Sequence, residues 1–430
     1  MKKTISPYLI IIISFLSLIL IGTLLLLLPF STVNNYSLKF DDAFFLATSS
    51  VTITGMSSIG NLSTTLTLFG KIIVTILIQI GGLSVITLTI FIMYLLGTKI
   101  GITNRFLLKE NLNTLNLKGL VSLVKKIILF SFIFELIASI IYLFIFIKIM
   151  PLGDAITTSI MHAISSFNNA GFDLMGINHL LINNTYPLLT ITTLILVILG
   201  GIGFIVIFDI IESKSYKKLT LHSKIVLKVN LFLWIFGFIM FKINSNLTIF
   251  QAIFLSITAR SAGFGVNLSL LPNHGILVLF ILMLIGASPA STGSGIKTTT
   301  FYVLYKILFS FARGKETVVS KRKISDETKY KAFILLIFMV FMIFISTIYM
   351  LIVENITIDI ALHEVIAAIS NAGLNSGFSS SYNIFSKLIV IILMFVGRVG
   401  ILTILVSFNA NWHKPLKSNI NYIEEKIIIG

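Results

Sequence analysis

The chain has 430 residues, 56% hydrophobic and 11% charged, with a net charge of +16, no cysteine and a mean hydropathy of +1.03. That balance is far more apolar than a soluble domain's and describes a polytopic membrane protein without a polar stretch long enough to fold separately. Disulfides and thiolate metal sites are excluded, the six histidines form no His-x-x-x-His pair, and the basic charge lacks an aromatic-basic nucleic-acid motif.

The chain begins MKKTISPYLIIIISFLSLILIGTLLLLLPF, with Lys2 and Lys3 ahead of an apolar run. The run exceeds 20 residues and has no A-x-A cleavage site, which predicts a retained spanning helix rather than a signal peptide. Further apolar spans follow at 69–97, 123–150, 186–211, 223–243, 274–312, 332–353 and 384–409. With 7–30 they make eight, each long enough for a hydrocarbon core of about 30 Å. Of the 32 Lys and Arg, 23 fall at the termini and in the segments 98–126, 212–228 and 313–331. By the positive-inside bias those segments and both termini are cytoplasmic, in a multi-pass plasma-membrane protein surrounded by lipid.

Between the members of each pair of spans lies a shorter segment of another kind. The four are DDAFFLATSSVTITGMSS (41–58), GDAITTSIMHAISSFNNAGFD (153–173), LTIFQAIFLSITARSAGFG (247–265) and ITIDIALHEVIAAISNAGLNS (356–376). Asp41, Asp154, Thr248 and Asp359 read as N-caps of half-helices of about ten residues, too short to span, and each half-helix ends in a small polar return. Aligned on that return, Gly55, Gly171, Gly263 and Gly373 are equivalent, 92 to 116 residues apart. A unit of span, re-entrant half-helix and span therefore occurs four times, over 7–97, 120–212, 222–313 and 328–410, with a cytoplasmic tail at 411–430. The expected fold is all-α integral membrane, one domain of eight transmembrane helices whose pore half-helices surround a central pore.

Half-helices aimed inward present partly negative C-terminal ends to the membrane centre, where a cation is stabilised. A glycine at each tip lets backbone carbonyls face the axis and replace a hydration shell, the logic of a potassium filter. A single such glycine is ordinarily a helix cap; four in equivalent loops point to a filter. Its expected residues are Thr52, Ile53, Thr54 and Gly55; Asn168, Asn169, Ala170 and Gly171; Arg260, Ser261, Ala262 and Gly263; and Asn371, Ala372 and Gly373, with K+ at the four glycines.

The span at 274–312 is interrupted by GASPASTGSGIKTTT. Irregular backbone at membrane depth is tolerated where it is buried in protein or lines a water-filled cavity, and this run of small residues exceeds what a packing kink needs. Gly286, Ala287, Ser288, Pro289, Ala290, Ser291, Thr292, Gly293, Ser294, Gly295 and Lys297 are the expected gate. Arg398, within VGRVGILT, joins them, because an intramembrane arginine is costly and at this depth would bond loop carbonyls. Glu135, in FIFELIASI, has two readings: a proton or sodium contact, or an interhelix hydrogen bond made when protonated. Asp209 and Glu212 read as the solvated end of a span. GSGIKT lacks the G-x-x-x-x-G-K-[ST] order, and no constellation of catalytic side chains at one depth supports an enzyme.

TITG at 52–55, FNNAGFD at 167–173, ARSAGF at 259–264, GASPASTGSGIKTTT and GRVG at 397–400 together resemble the Trk/Ktr/HKT superfamily of potassium transporters. The resemblance covers nearly the whole chain and, without the two extra N-terminal spans of TrkH, is nearest to the KtrB-type membrane subunit. It implies potassium flow through four single-glycine loops, with Gly55 where many sodium-selective plant relatives carry serine. It also implies a gate made by Gly286 to Thr300 with Arg398, a homodimer on a cytosolic nucleotide-binding regulatory ring (KtrA-like), and sodium as an activator, with no covalently bound cofactor. A sodium-selective or weakly selective transporter of the same fold is the alternative. Ile401 stands where the family commonly has proline and Asn375 where it has Ser or Thr, departures that bear on gate stability and selectivity.

Overall fold

The computed structural model of the chain describes residues 6–33, 37–98, 100–112, 119–177, 180–181, 184–265, 270–374 and 377–407. Lys2, Lys3, Asn375 and the tail at 411–430 lie outside them. Within this range the chain is mostly helical, and one four-part pattern recurs along it.

Each repeat opens with a long helix: Pro7–Leu26, Leu120–Phe146, Leu221–Lys242 and Asp326–Glu354. All four are long and apolar enough to cross a membrane. Their starts follow from local chemistry, with Pro7 at the first turn and the hydroxyls of Thr220 and Ser325 accepting from Ser223 N and Thr328 N. Their outward residues, among them Leu24, Phe144 and Ile352, are exposed, as faces turned to lipid tails should be.

A shorter helix follows each: Phe40–Val51, Leu152–Phe167, Ile249–Thr258 and Ile358–Ser370. Thr248 is the N-cap expected of it, closing a capping box with Gln251. The three aspartates are not caps: Lys39, Pro151 and Thr357 hold those positions, and Asp41, Asp154 and Asp359 sit in the first turn. There they still face the positive end of the helix dipole, so the preference for an acid is met two or three residues inside the helix instead of at its cap.

The second helix of each repeat corrects a larger expectation, because all four are interrupted and not the third alone. Leu68–Leu83 and Val85–Leu95 meet at 89°, Pro187–Ile202 and Phe204–Ser213 at 96°, and Ile384–Val399 and Ile401–Ser407 at 92°. The chain turns on a single residue in each case: Ser84 (φ 72), Gly203 (φ 100) and Gly400 (φ 93). A positive φ turns the helix through about a right angle without a loop, and glycine reaches it freely. Counting each bent pair as one span gives seven candidate crossings. In the third repeat Asn273–Leu284 and Thr298–Ala312 are separated by residues 285–297. The basic connection after it carries a small antiparallel ribbon, Val318–Val319 with Arg322–Lys323.

The repeats close on one another in order. Each long helix packs against its own half-helix, and the first half of each second helix packs against the half-helix of the next repeat. Thus Leu68–Leu83 meets Leu152–Phe167, Pro187–Ile202 meets Ile249–Thr258, Asn273–Leu284 meets Ile358–Ser370, and Ile384–Val399 returns to Phe40–Val51.

Candidate functional site

The loops after the four half-helices converge, and their glycines are the points of contact. Gly55, Gly171, Gly263 and Gly373 all have positive φ, 87°, 67°, 68° and 65°. Each lies against the carbonyl oxygen just before the next glycine round the circle. Gly55 faces Ala170 O, Gly171 faces Ala262 O, Gly263 faces Ala372 O and Gly373 faces Thr54 O. A Cβ on Gly171 would lie 2.5 Å from the Gly263 Cα, and one on Gly373 3.3 Å from the Gly55 Cα. A side chain is strained by the dihedral at all four positions and excluded by space at Gly55, Gly171 and Gly373, while at Gly263 it would be in tight contact.

Three loops reach this geometry in the same way. Thr54 N bonds Ser49 O at 2.8 Å, Ala170 N bonds Ser165 O at 2.9 Å and Ala372 N bonds Ala367 O at 3.0 Å. In each the preceding residue is left-handed, Ile53, Asn169 or Asn371. Such a φ is strained for a β-branched isoleucine, and the Thr52 and Thr54 hydroxyls, 2.7 Å apart, tie the chain across it. The third loop instead closes by Ala262 N to Thr258 O at 2.9 Å.

Side chains behind the loops lock them to neighbouring repeats. Asn371 Nδ2 donates to Thr54 Oγ1 at 2.8 Å and to Met394 O at 2.9 Å, joining the fourth loop to the first. Asn168 Nδ2 donates to Gln79 Oε1 at 2.7 Å and to Glu135 Oε1 at 3.3 Å, and Gln79 Nε2 donates to Glu135 Oε2 at 3.0 Å. Glu135 thus accepts hydrogen bonds from amides on two neighbouring elements. The amide of Asn169 meets the Thr292 hydroxyl at 2.9 Å in either of its orientations.

The interrupted segment 285–297 is folded back on itself by Ala287 N to Ser294 O at 3.0 Å and Ile296 N to Leu284 O at 3.1 Å. Its other backbone groups need partners, and the bends supply them. A helix that stops leaves its last carbonyls free. Where Pro187–Ile202 stops, Gly200 O accepts from Thr292 N and Gly201 O from Ser288 N, both at 3.1 Å, while Phe204 N donates to Ala290 O at 2.8 Å. Where Leu68–Leu83 stops, the Arg398 guanidinium takes Gly81 O at 2.5 Å and Gly82 O at 2.9 Å through Nη2. Its Nη1 donates to Thr292 O, which places Arg398 on the segment as its expected depth required. Lys297 Nζ turns back to Gly293 O at 2.7 Å.

A cavity of about 600 Å³ adjoins this segment, lined among others by Ser291, Gly293, Lys297 and Arg398. Of the expected loop residues, Arg260 behaves differently from the rest. Its side chain leaves the ring for the interrupted segment, donating to Ile285 O at 3.1 Å and to Gly286 O and Asn230 Oδ1, both at 2.5 Å. Gln79, Asn230 and the turning residues Ser84, Gly203 and Gly400 were not anticipated. The tetrads GGLS at 81–84, GGIG at 200–203 and GRVG at 397–400, each ending on the turning residue, carry the signal for the last three.

Carbonyl dipoles gathered in this way can substitute for water around a cation, at the convergence of four helix C-termini. A pseudo-fourfold helical membrane protein with such a centre belongs to the class of cation-transport proteins. Residues 2–415 match the TrkH family, described as cation transport protein, and the chain belongs to that family. It is 34% identical to Ktr system potassium uptake protein B of Bacillus subtilis, over 99% of this chain and 97% of that one. It is also 33% identical to potassium/sodium uptake protein NtpJ of Enterococcus hirae, over 100% of this chain and 98% of the other. Among solved structures, that of the potassium transporter TrkH from Vibrio parahaemolyticus superposes with a TM-score of 0.74 at 18% identity, covering 95% of this chain and 86% of that one. The chain is accordingly a multi-pass membrane protein of a cation-transport family, not of an enzyme family.

Proposed function

We propose that the chain is the pore-forming subunit of a potassium uptake system of the plasma membrane. In this reading eight spans in four repeats, with both termini cytoplasmic, surround one pathway. The observation that carries it is the closed circle of glycines, each against the carbonyl preceding the next. Thr52 to Gly55, Asn168 to Gly171, Arg260 to Gly263 and Asn371 to Gly373 form the filter, and the ion is held by backbone oxygen rather than by carboxylates. Residues 286–295 with Lys297 and Arg398 form the gate, with basic groups beside the pathway that disfavour a cation until they move.

The names of the relatives support potassium as the substrate and, for the Ktr-type proteins, membership of a multi-component system. We assign the chain a homodimeric state and a cytosolic nucleotide-binding regulatory ring as partner, with sodium as an activator. A weakly selective pathway is the second reading, favoured by the relative named for both potassium and sodium uptake. Cation flux in proteoliposomes containing the purified chain decides between them. Potassium flux well above sodium flux is expected; equal fluxes establish the second reading. Absence of flux even with the regulatory ring added overturns conduction.

A further inference from the structure

Two side chains of the glycine-bearing loops reach the interrupted segment: Asn169 meets the Thr292 hydroxyl, and Arg260 holds the carbonyls at the segment's start. Three residues before each glycine stand Thr52, Asn168, Arg260 and Ser370. The Thr52 hydroxyl stays within its own half-helix and loop, bonding Thr48 O at 2.8 Å and Thr54 Oγ1 at 2.7 Å. Ser370 Oγ returns to Ile366 O at 2.5 Å, and Asn168 reaches Gln79 and Glu135 in neighbouring helices. Arg260, almost fully buried, reaches instead to the carbonyls of Ile285 and Gly286, where the second helix of its own repeat comes apart.

The surroundings explain why an arginine stands there. In the other repeats a glycine of the second helix lies directly on a carbonyl at the end of its own half-helix: Gly81 on Val51 O, Gly200 on Phe167 O and Gly397 on Ile369 O. In the third repeat Gly286 lies on Ser294 O, inside the interruption, and the direct contact is replaced by the guanidinium. Arg260 Nη1 is fixed by Asn230 Oδ1, and Asn230 Nδ2 donates to Ser288 Oγ at 3.1 Å, which in turn accepts from Thr298 Oγ1 at 3.2 Å. One network therefore runs from the loop that carries Gly263 to both ends of the interrupted segment.

We infer that Arg260 is a positioning residue that couples cation occupancy of the glycine circle to the conformation of residues 285–297. This rests on the reading of the circle as the ion site and of the segment as the gate. A cation held by the third loop's carbonyls orders residues 260–263. The guanidinium then keeps its fork on Ile285 O and Gly286 O, and the segment stays docked. An empty circle loosens the loop, and the same bonds are lost from the other end. Arginine suits this role because its planar fork binds two carbonyls at fixed spacing, which lysine does not. Coupling of two sites is reciprocal, so movement of the segment also alters cation affinity at the circle.

The absence of native cysteine makes the test direct. Ser291 lines the cavity beside the segment, and the S291C chain in nanodiscs carries a single thiol. Its rate of reaction with a soluble thiol reagent is measured in potassium and in choline. With Arg260 present, potassium is expected to slow the reaction about fivefold to tenfold, the lower end of ordinary intersite coupling. With R260Q the choline rate should persist in both media, and with R260K most of the potassium effect should be lost. N230A, which keeps the arginine and removes one partner, should roughly halve the logarithm of that effect and serves if R260Q fails to assemble. A potassium effect of full size in R260Q, R260K or N230A overturns the inference. So does a reaction rate indifferent to potassium with Arg260 present. Potassium flux measured on the chain without the S291C substitution reports on the proposed function separately, because conduction can persist when coupling is absent.

Discussion

Three of the four second helices turn through about a right angle on one residue, whereas the two halves of the third are separated by thirteen residues, 285–297. A single residue at positive φ turns the backbone at Ser84, Gly203 or Gly400, with helix resuming at the next residue. The long interruption has no such economy. Its amides and carbonyls are satisfied by Gly200, Gly201 and Phe204 of the second repeat and by Arg398 of the fourth, as well as by its own Ala287 and Ser294. A turn of one residue is fixed by its own dihedral, but a segment held by bonds to other elements can exchange those bonds. The same fold thus holds three corners fixed by one dihedral and one interruption held by bonds to other elements, and the interruption rests on carbonyls that the corners leave free.

The sharpest ways to break this comparison lie at the circle that both kinds of corner support. Gly171→Val or Gly263→Asp should abolish uptake while membrane insertion and the gel-filtration profile stay intact, because a Cβ there meets neighbouring backbone. Normal uptake by either variant would remove the carbonyl circle from the mechanism. Deleting 288–294 should raise basal flux about tenfold or more and weaken dependence on the regulatory ring, as expected when several backbone hydrogen bonds are removed together. A deletion that remains tightly shut would show that the segment is not the gate.

Smaller effects separate the two kinds of corner. Arg398→Gln removes charge-assisted bonds to three carbonyls, each worth about 1.5–3 kcal/mol, and should raise basal flux several-fold with potassium preference retained. Gly203→Ala puts a side chain into a φ region that only glycine adopts freely, at a cost of about 1–3 kcal/mol. It should lower the unfolding temperature in detergent and, because Phe204 N holds Ala290 O, disturb the segment as well. The exposed pair Lys331–Glu327 serves as the control, since its removal should change stability by no more than about 0.5 kcal/mol. A larger change there would mean that the long-helix termini carry more of the fold than the corners do.

Much of this was legible in the sequence because it is written four times. Ala-Gly-Phe/Leu recurs at 170–172, 262–264 and 372–374, and its regular spacing locates the loops that meet. The interruption is visible as ten small residues in an apolar run, and Arg398 as a charge where none is expected. The three one-residue corners were missed because Gly81, Gly82, Gly200 and Gly201 are flanked by Leu and Ile, and the runs around them read as unbroken spans. A reversal that needs one dihedral leaves almost no trace in composition. The helix starts differed from the aspartates by two or three residues because a first-turn carboxylate and a capping one satisfy the same dipole. The destination of Arg260 was hidden for another reason: the loop motif locates its backbone, but whether its side chain turns toward the circle or toward residue 286 depends on a helix 25 residues further along.

Arg398 also shows what is gained by covalent joining of the four quarters. A pore made from four identical subunits must repeat every side chain four times around its axis, and four guanidinium groups crowded at one depth would repel one another strongly where the local dielectric is low. In a single chain the fourth quarter can carry the arginine while the equivalent positions in the first two are Gly82 and Gly201. Near-fourfold geometry can therefore be kept at the glycine circle while charge is distributed one residue at a time beside it. Each quarter is free to acquire a different task without its sequence being imposed on the other three.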